Sequence, residues 1–421
     1  MSLLAVIVLL SGCMSMMSGS ALEAMFGTGN HSIQSDTGKV PSAGDTVTVS
    51  REEYERYKSG YERLEKFSEL ADLYDAAETE FYWDPDEEKM VEFAAKGLMA
   101  GLDDPYSFYY NPEEFAQLWE EDEGNYVGIG VMILSDANLQ TCTITRVFKG
   151  SPAEEAGVQR GDLLYRVEDD LYVTPENLTE AVNIMRGEPG TAVNVTFIRN
   201  GEEITFNIVR KQISVNQIEY TMLDSSIGYI AMYQFAGEAE KEFEAALKDL
   251  TTQGAKGLII DLRDNTGGWV EQARVIGDLF MDKGDLCYLV YRDGTEDHIY
   301  RTTDGKTDIP LTILVNENTA SSSEILTGAL RDAADATVVG TKTFGKGIVQ
   351  SVLPVGNNGA GFQMTVAEYF SPKGNKVHQE GIIPDVIAER PEDDNGTYDF
   401  ADLEKDVQLQ RALEVAKDKL K

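Results

Sequence analysis

The spacing of apolar side chains changes along the chain, and each spacing predicts a different kind of structure. From residue 51 to residue 122, apolar side chains recur mostly at steps of three and four, which predicts an acidic, amphipathic helical region. The apolar stripe of this region comprises Tyr54, Tyr57, Tyr61, Leu64, Phe67, Leu70, Leu73 and Tyr74. We interpret the stripe as part of a core or of a contact between two copies of the chain, rather than as a cofactor site.

The next segment, residues 123–213, consists of short apolar runs separated by glycine-rich turns. Strand patterns begin at Tyr126, a helical pattern covers Asn177–Met185, and a last strand pattern follows Gly190. This mixture predicts a small domain built mainly from strands.

Residues 214–390 alternate continuous apolar runs with helical patterns. The runs Ile227–Ile230, Gly257–Leu262 and Leu311–Val315 predict buried strands, and a helix is predicted over Ala239–Leu250. Such alternation is typical of a layered α/β core.

Three further elements are predicted towards the end of the chain. Cys287–Tyr300 has the pattern of a hairpin, and Phe362–Phe370 has the pattern of a strand. The remaining residues, 391–421, form a tail in which Leu403–Leu420 predicts an amphipathic, charged helix.

The first 26 residues carry an apolar run that is too short to span a bilayer comfortably. The run resembles the apolar part of a secretory signal, although no Lys or Arg precedes it. Leu10-Ser11-Gly12-Cys13 resembles a bacterial lipobox, in which Cys13 is the lipidation candidate; an uncleaved anchor is the alternative. In both cases we expect an exported protein attached to the membrane of a bacterial cell envelope. Residues 27–50, rich in Gly, Ser and Thr, are then predicted to be a flexible linker.

An excess of acidic residues is the most unusual feature of the composition. The 421 residues include 36 Lys and Arg against 73 Asp and Glu, for a net charge of −37. Phosphate binding requires a basic surface, so we expect no nucleic-acid partner. We interpret the acidity as a strongly solvated, soluble surface.

Cysteine and histidine are too few and too scattered to suggest a metal site. Besides Cys13, the chain has only Cys142 and Cys287, each in an apolar strand pattern, and we expect two buried free thiols. The three histidines are His31, His298 and His378. No ligand spacing connects these residues, so no metal ion is predicted. The chemistry inferred below implies no organic cofactor either.

Most of the candidate catalytic residues lie between Asn316 and Gln350. A turn of small residues, Thr319–Ser323, precedes a helical pattern, which by itself is the usual signature of a helix N-cap. Further on, Lys346 lies between two glycines and has apolar neighbours, which we expect to desolvate the ammonium and lower its pKa. A neutral lysine can take a proton from a serine hydroxyl, and a helix N-terminus supplies amides for a developing oxyanion.

These residues resemble two motifs of the carboxyl-terminal processing (tail-specific) peptidases, which are Ser-Lys proteases. The motifs are N-x-x-[ST]-A-S-x-S-E, here Asn316–Glu324, and V-G-x-x-T-F-G-K-G-x-V-Q, here Val339–Gln350. The resemblance implies that Ser321 is the nucleophile, that Lys346 is the general base and that Gln350 holds the lysine.

The same resemblance implies an oxyanion hole. Asp261 to Gly268 matches the family's D-x-R-x-N-x-G-G, whose glycine amide is a donor; we assign Gly267, with Gly268 as the next candidate. The second implied donor is the amide of Ser322. Position 322 is often alanine in the family, and the hydroxyl should not matter if only the backbone amide is used.

Residues 123–213 resemble a PDZ domain, because S-P-A-x-x-A-G followed by G-D-x-[IL] is a specific signature of that domain. Gly128, Ile129, Gly130 and Val131 would form its peptide-binding loop. Consecutive backbone N–H groups in such a loop can bind a terminal carboxylate, and the strand that follows can pair with the peptide. The substrates implied are proteins or peptides with exposed, apolar C-termini.

The resemblance covers about residues 60 to 390. It implies a multidomain α/β protein, in which a crotonase/ClpP-like α/β protease core carries an inserted PDZ domain and a helical N-terminal arm. Leu102–Ser107 resembles the family's L-D-x-x-Y-S signature, and the family's pairing of terminal helices implies a possible homodimer.

Two alternatives were weighed against this assignment. A Ser-His-Asp site through His378 lacks the G-x-S-x-G elbow. A peptide-binding scaffold with a silent protease core is the other, but the serine, the lysine, the glutamine and the glycine turn are all present.

Overall fold

The computed structural model describes residues 50–122, 125–136, 139–214, 216–303, 307–391 and 400–421. The chain divides into two compact units, with the boundary between Asp104 and Pro105. The predicted leader with Cys13, and all of the predicted linker except Ser50, lie outside the described residues. Within the described ranges, no helix combines the length and the apolar character needed to cross a membrane.

The N-terminal unit is helical, as predicted. Its helices are α1 (Arg51–Glu65), α2 (Ser68–Glu80) and α3 (Glu87–Ala100). No residue of α2 or α3 is buried, and seven members of the apolar stripe are 43% to 72% exposed. The stripe is therefore not the core of this unit, and the interpretation that remains is a contact surface.

The second unit begins with β1 (Phe108–Tyr110) and α4 (Pro112–Asp122) and continues into a small β-rich domain. The elements of that domain are β2 (Asn125–Gly128), β3 (Val131–Asp136), β4 (Thr141–Val147), α5 (Pro152–Ala156), β5 (Leu163–Val167), β6 (Leu171–Tyr172), α6 (Leu178–Met185), β7 (Ala192–Arg199), β8 (Glu202–Val209) and β9 (Lys211–Ser214). The main sheet has the order β3-β4-β5-β7-β8 with antiparallel pairing, and β6 adds to β5. Strand β2 pairs with β9, which brings the two ends of the domain together.

The remaining elements build the core. They are β10 (Ile218–Met222), β11 (Ile227–Met232), α7 (Ala239–Gln253), β12 (Gly257–Asp261), α8 (Val270–Asp278), β13 (Tyr288–Tyr291), β14 (Glu296–Asp297), β15 (Leu311–Val315), α9 (Ser322–Ala333), β16 (Thr337–Gly340), β17 (Ile348–Pro354), β18 (Gly361–Phe370), β19 (Val386–Ile387) and α10 (Val407–Asp418). The central sheet has the order β10-β11-β12-β15-β16-β19, and all its neighbours are parallel except β10 and β11.

Helices cover both faces of the central sheet, which explains the continuous apolar runs of its strands. Every residue of β11, β12 and β15 is buried. Apolar side chains of α7, α8 and α9 join one cluster with one face of these strands, and α10 packs on the opposite face. The predicted layered α/β core is confirmed.

A second, antiparallel sheet has the order β1-β18-β13-β14, with β17 also paired to β18. Pairing of β13 with β14 confirms the predicted hairpin, and β18 confirms the predicted strand. Helix α10 is shorter than the predicted Leu403–Leu420, because the Asp406 side chain caps it by accepting the N–H of Leu409 at 2.9 Å.

Candidate active site

Ser321 occupies the turn between strand β15 and helix α9, at the carboxyl end of a central strand. Its backbone has φ 58° and ψ −121°, a left-handed conformation that costs a non-glycine residue about 1–3 kcal/mol. A strained serine at a sharp turn from strand to helix has the geometry of a nucleophile elbow, although the elbow's usual sequence is absent. The side chain is fully buried.

The loop that follows β12 is bonded directly to the loop that carries Ser321. Because β12 and β15 are parallel neighbours, both loops leave the same edge of the sheet. The Asp264 carboxylate accepts from Asn316 Nδ2 at 2.7 Å and from Asn318 Nδ2 at 2.8 Å, and Ala320 N donates to the Asn265 carbonyl at 3.0 Å. These contacts place the predicted glycine turn against the predicted nucleophile.

Gly267 lies so close to Ser321 that no larger residue fits. A Cβ at position 267 would be 2.8 Å from Ser321 Cβ and 2.9 Å from Ser322 N, and the backbone has φ +103°. However, the Gly267 N–H donates to Asn265 Oδ1 at 2.9 Å. The glycine is therefore in the predicted place while its N–H is already engaged, and its role as an oxyanion donor stays a prediction.

The hydroxyl of Ser322 has a partner that the sequence did not reveal. Its Oγ donates to the Gly268 carbonyl at 2.7 Å, and both groups are buried. The hydroxyl therefore joins the first residue of α9 to the glycine turn. This contact is absent from any relative that has alanine at the position.

Glu324, on the first turn of α9, joins the serine loop to the lysine loop. Its Oε2 accepts the backbone N–H of Ser321 at 3.0 Å and that of Lys346 at 2.8 Å. Its Oε1 accepts from Thr343 Oγ1 at 2.5 Å and from Gly345 N at 2.8 Å. One oxygen atom thus holds the main chains of the two predicted catalytic residues within two hydrogen-bond lengths of each other.

The ionisation of Glu324 reflects two opposing effects. Complete burial disfavours the carboxylate and raises the pKa of Glu324 to about 7, although the hydrogen bonds from Thr343, Gly345, Lys346 and Ser321 oppose the shift. The carboxyl group therefore changes its charge near neutral pH while it holds both loops.

Lys346 lies on the loop between β16 and β17 and is only 8% exposed. The loop is fixed to the serine turn, because Phe344 N donates to the Thr319 carbonyl at 3.0 Å. Of the predicted apolar neighbours, Ile348 and Val349 are buried, and Phe344 is 42% exposed. The Lys346 ammonium lies over the ring of Tyr106, with Nζ 4.6 Å from the ring centroid.

Gln350 follows on β17, where its side chain is buried and its Nε2 donates to Thr365 Oγ1 at 3.1 Å. Its Oε1 and the Ser321 Oγ are both buried and have no hydrogen-bond partner among the described residues. Lys346 Nζ is therefore hydrogen-bonded to neither oxygen. No bond links Ser321 Oγ to His378 either, although His378 N would be 2.1 Å from a Cβ at Gly347.

In the predicted peptide-binding loop, Gly128 ends strand β2 and Gly130 makes a tight turn. Gly130 has φ +87°, and a Cβ there would be 2.3 Å from Ser151 Cβ. The Ile129 and Gly130 carbonyls accept from Ala153 N at 2.8 Å and Phe148 N at 3.0 Å, which fixes the loop between Gly128 and Val131. Val131 begins β3, an edge strand of the described sheet, so the sheet can accept another strand beside it.

A buried ion-pair network near the glycine turn was not predicted. Arg263 bonds the Asp261 carboxylate at 2.7 Å and the Asp406 carboxylate at 2.6 Å, and Asp261 also accepts from Tyr229 OH at 2.7 Å. Asp406 caps α10, so the network joins the last helix to the strand that precedes the glycine turn. No local signal reveals this pairing, because Arg263 and Asp406 are 143 residues apart in the chain. Glu324, in contrast, was visible as a charge within an apolar helical pattern.

Comparison with known proteins agrees with this arrangement. Three family models match: peptidase family S41 over residues 226–388, the PDZ domain over residues 143–199, and the activating protease CtpB N-terminal domain over residues 24–114. A carboxyl-terminal-processing protease of Synechocystis is 37% identical over 330 residues, which are 76% of each chain. The chain belongs to peptidase family S41.

Two further relatives place it among the carboxyl-terminal processing proteases of that family. The carboxy-terminal processing protease CtpA of Bacillus subtilis is 34% identical over 83% of this chain and 76% of its own. The solved structure of a photosystem II D1 C-terminal processing protease is 28% identical, with a TM-score of 0.56 over 79% of this chain and 89% of that one. The protein is therefore a serine-type peptidase with a mixed α/β core and a PDZ domain, as predicted.

The family matches include some of the predicted site residues and not others. The S41 match spans Ser321, Lys346 and Gln350, whereas the PDZ match begins at residue 143, after the predicted loop Gly128–Val131. The individual roles of these residues and the predicted domain limits remain predictions.

Proposed function

We propose that this S41 peptidase is an exported endopeptidase that binds exposed, apolar C-terminal tails through its PDZ domain and cleaves them with Ser321 and Lys346. The observation that carries the proposal is the Glu324 carboxylate. One of its oxygens accepts the backbone N–H of both catalytic candidates, from the turn before α9 and from the loop between β16 and β17. A buried carboxylate shared in this way supports a site in which the serine and the lysine act together.

The chemistry begins with proton transfer. Lys346, in its neutral form, takes the hydroxyl proton of Ser321, and Oγ forms a bond to the carbonyl carbon of the scissile peptide. The negative charge moves to the carbonyl oxygen, where the amide of Ser322 and a glycine amide stabilise it. Loss of one such donor typically costs about 10²–10³ in rate.

The oxyanion then collapses and the C–N bond breaks. Lys346 gives its proton to the leaving amine, and the acyl group remains on Ser321. A water molecule that gives its proton to Lys346 attacks the ester, and the serine hydroxyl is restored. Gln350 orients the lysine, and Gly267 can serve as a donor only after its N–H turns away from Asn265.

The PDZ domain supplies the specificity for tails. A peptide that pairs with the edge strand β3 would place its terminal carboxylate at the loop Gly128–Val131. Apolar side chains line the interior behind this loop, since Ile129 belongs to the domain core and Val131 packs against it. These features support an apolar tail as the ligand.

The location and the assembly of the enzyme are also proposals. Cys13 and the apolar leader support export and attachment to the membrane of a bacterial cell envelope. The exposed apolar stripe on α1 and α2 supports a homodimer, because a large apolar surface is normally covered by a partner. Fractionation of cells that express the chain or its Cys13→Ser variant tests the lipid attachment, and sedimentation tests the dimer.

The decisive experiment measures cleavage of an unfolded reporter with an apolar C-terminal tail by the purified full-length chain. A matched reporter with a charged, Asp-ended tail and the Ser321→Ala variant are the controls. The proposal predicts cleavage that requires both the apolar tail and Ser321. Binding of the tail without cleavage, at any tail concentration, would contradict the proposal and favour a peptide-binding scaffold.

A further inference from the structure

The ammonium of Lys346 lies over an aromatic ring and is bonded to neither Ser321 Oγ nor Gln350 Oε1. Its Nζ lies 4.6 Å from the centroid of the Tyr106 ring, well inside the range of about 6 Å for a cation–π contact. The lysine side chain is largely buried, so the contact is shielded from water. Such shielding strengthens a cation–π contact.

Two buried oxygen atoms in the proposed site, both able to accept from an ammonium, have no hydrogen-bond partner within the described ranges. Ser321 Oγ and Gln350 Oε1 have no hydrogen-bond partner in the part of the chain that the structure describes. Buried polar atoms without partners are uncommon and costly, so each one needs a partner in some state of the protein. A lysine ammonium has three donors and can bond both oxygens at once.

We propose that Tyr106 is a positioning residue that holds Lys346 in a resting arrangement, from which the lysine side chain moves to Ser321 and Gln350 before catalysis. The inference rests on the Ser-Lys mechanism proposed above. A ring face attracts the charged amine and not the neutral one, whereas a general base must be neutral. The contact with the Tyr106 ring therefore has two effects. It holds the Lys346 side chain away from Ser321, and it favours the protonated form of the lysine over the neutral form that a base requires.

Hydrogen bonds fix the main chain at Tyr106, so we assign the movement to the lysine side chain. The Tyr106 carbonyl accepts from Gln363 Nε2 at 3.0 Å, and the next residue, Ser107, accepts the Thr365 N–H through its Oγ at 3.1 Å. Both partners lie on β18, and Thr365 also accepts from Gln350 at 3.1 Å. Strand β18 is therefore bonded both to the segment of Tyr106, which contacts Lys346 in the resting arrangement, and to Gln350, which is a proposed partner of Lys346 in the active arrangement.

The experiment follows the reaction of Ser321 with a fluorophosphonate. In this reaction Oγ forms a bond to phosphorus, fluoride leaves, and the hydroxyl proton passes to Lys346, so the rate reports how often the lysine is in the active arrangement. The full-length chain is compared with Tyr106→Leu and Tyr106→Phe. Phe108→Leu, which removes an exposed ring from the same segment, is the matched control.

The proposal predicts labelling of Tyr106→Leu about 2- to 30-fold faster than the parent, the range that corresponds to one cation–π contact. Tyr106→Phe keeps the ring face and should restore slow labelling, and Phe108→Leu should label at the parent's rate. Ser321→Ala should not be labelled.

A second variant separates the electrostatics of the ring from its shape. A trifluorinated phenylalanine at position 106 nearly preserves the shape of phenylalanine but weakens the negative face of the ring. Labelling should then be faster than in Tyr106→Phe. Equal or slower labelling of both the leucine and the fluorinated variants, at an unchanged melting temperature, would overturn the role of Tyr106. Labelling that does not depend on Ser321 would instead overturn the proposed function, and the inference with it.

Discussion

The Glu324 carboxylate, one turn into the helix of the nucleophile, accepts the backbone N–H of Lys346 at 2.8 Å. The same oxygen accepts the N–H of Ser321, so one side chain sets the spacing of the two proposed catalytic residues. The arrangement uses two oxygen atoms that each accept two hydrogen bonds, which the amide group of a glutamine does not provide. Changes to Glu324 should therefore affect both activity and stability.

Glu324→Gln should lower the rate of cleavage about 10- to 100-fold. The amide nitrogen of glutamine would face two of the four donors, and a lost buried hydrogen bond costs about 1–3 kcal/mol. Initial rates on the tailed reporter measure the effect. Glu317→Gln, an exposed carboxylate in the adjoining loop, is the control and should retain its rate. An unchanged rate for Glu324→Gln would contradict the spacing role.

The same variant tests the pKa of Glu324. The folded protein raises this pKa from 4.5 to about 7, so the carboxyl group stabilises the fold fully below pH 4.5 and progressively less as the pH rises to 7. The excess stability of the parent over Glu324→Gln should therefore fall across this window and level off above it. Urea unfolding at a series of pH values gives the difference, and a difference that grows with pH would contradict the shift.

Ser322→Ala should lower the free energy of unfolding by about 1–3 kcal/mol. The variant removes the hydroxyl that bonds the Gly268 carbonyl and leaves that buried acceptor without this bond. Thr252→Ala, which removes an exposed hydroxyl bonded within a helix, serves as the reference and should change little. Equal midpoints of urea unfolding for parent and Ser322→Ala would show that the hydroxyl is dispensable, as the sequence alone suggested.

Asp406→Ala should destabilise the protein by about 3–5 kcal/mol. It leaves the buried Arg263 with an incomplete set of partners and removes the cap of α10. Arg411→Ala breaks an exposed pair with Glu414 on the same helix and should cost less than about 1 kcal/mol. Thermal and urea unfolding compare the two variants. Similar losses of unfolding free energy in the two variants would mean that the buried network stabilises the protein no more than an exposed ion pair does.

Arg146 provides a test of the contact between the PDZ domain and the core. Its guanidinium lies 3.5 Å from the centroid of the Tyr233 ring and donates to the Asn216 carbonyl at 2.9 Å and to Glu219 at 3.3 Å. Arg146→Met keeps the apolar packing but loses these bonds. Amide hydrogen exchange over residues 216–222 should become about fivefold faster, as expected for one lost hydrogen bond. The exposed Lys149→Met in the same domain is the control, and equal exchange in both variants would contradict the coupling.

The sequence predicted the layers of the core because a parallel strand buried on both faces must be apolar throughout, as in Gly257–Asp261. It also predicted the helix that begins at Ser322, since small residues before a helical pattern are a local signal. The engagement of the Gly267 N–H was missed, although the bond to Asn265 spans only two residues and is typical of an Asx turn.

Contacts between residues that are distant in the chain could not be predicted from the sequence. Gly345 and Lys346, which donate to Glu324, lie 21 and 22 residues further along the chain. Tyr106 meets Lys346 only after β1 pairs with β18. Motif spacing named Ser321, Lys346 and Gln350, but it gave no information on whether their side chains are bonded to one another. The structure shows that Ser321 Oγ and Gln350 Oε1 are not bonded to the lysine.

The central claim is that Lys346 is the base for Ser321, and the most direct test is the cleavage rate of Lys346→Ala on the tailed reporter. Lys342→Ala, an exposed lysine on the same loop, is the matched control. The account predicts a loss of about 10²–10⁴-fold or more for Lys346→Ala, with an unchanged melting temperature and full activity in Lys342→Ala. Full activity of a folded Lys346→Ala variant would contradict the assignment of the dyad.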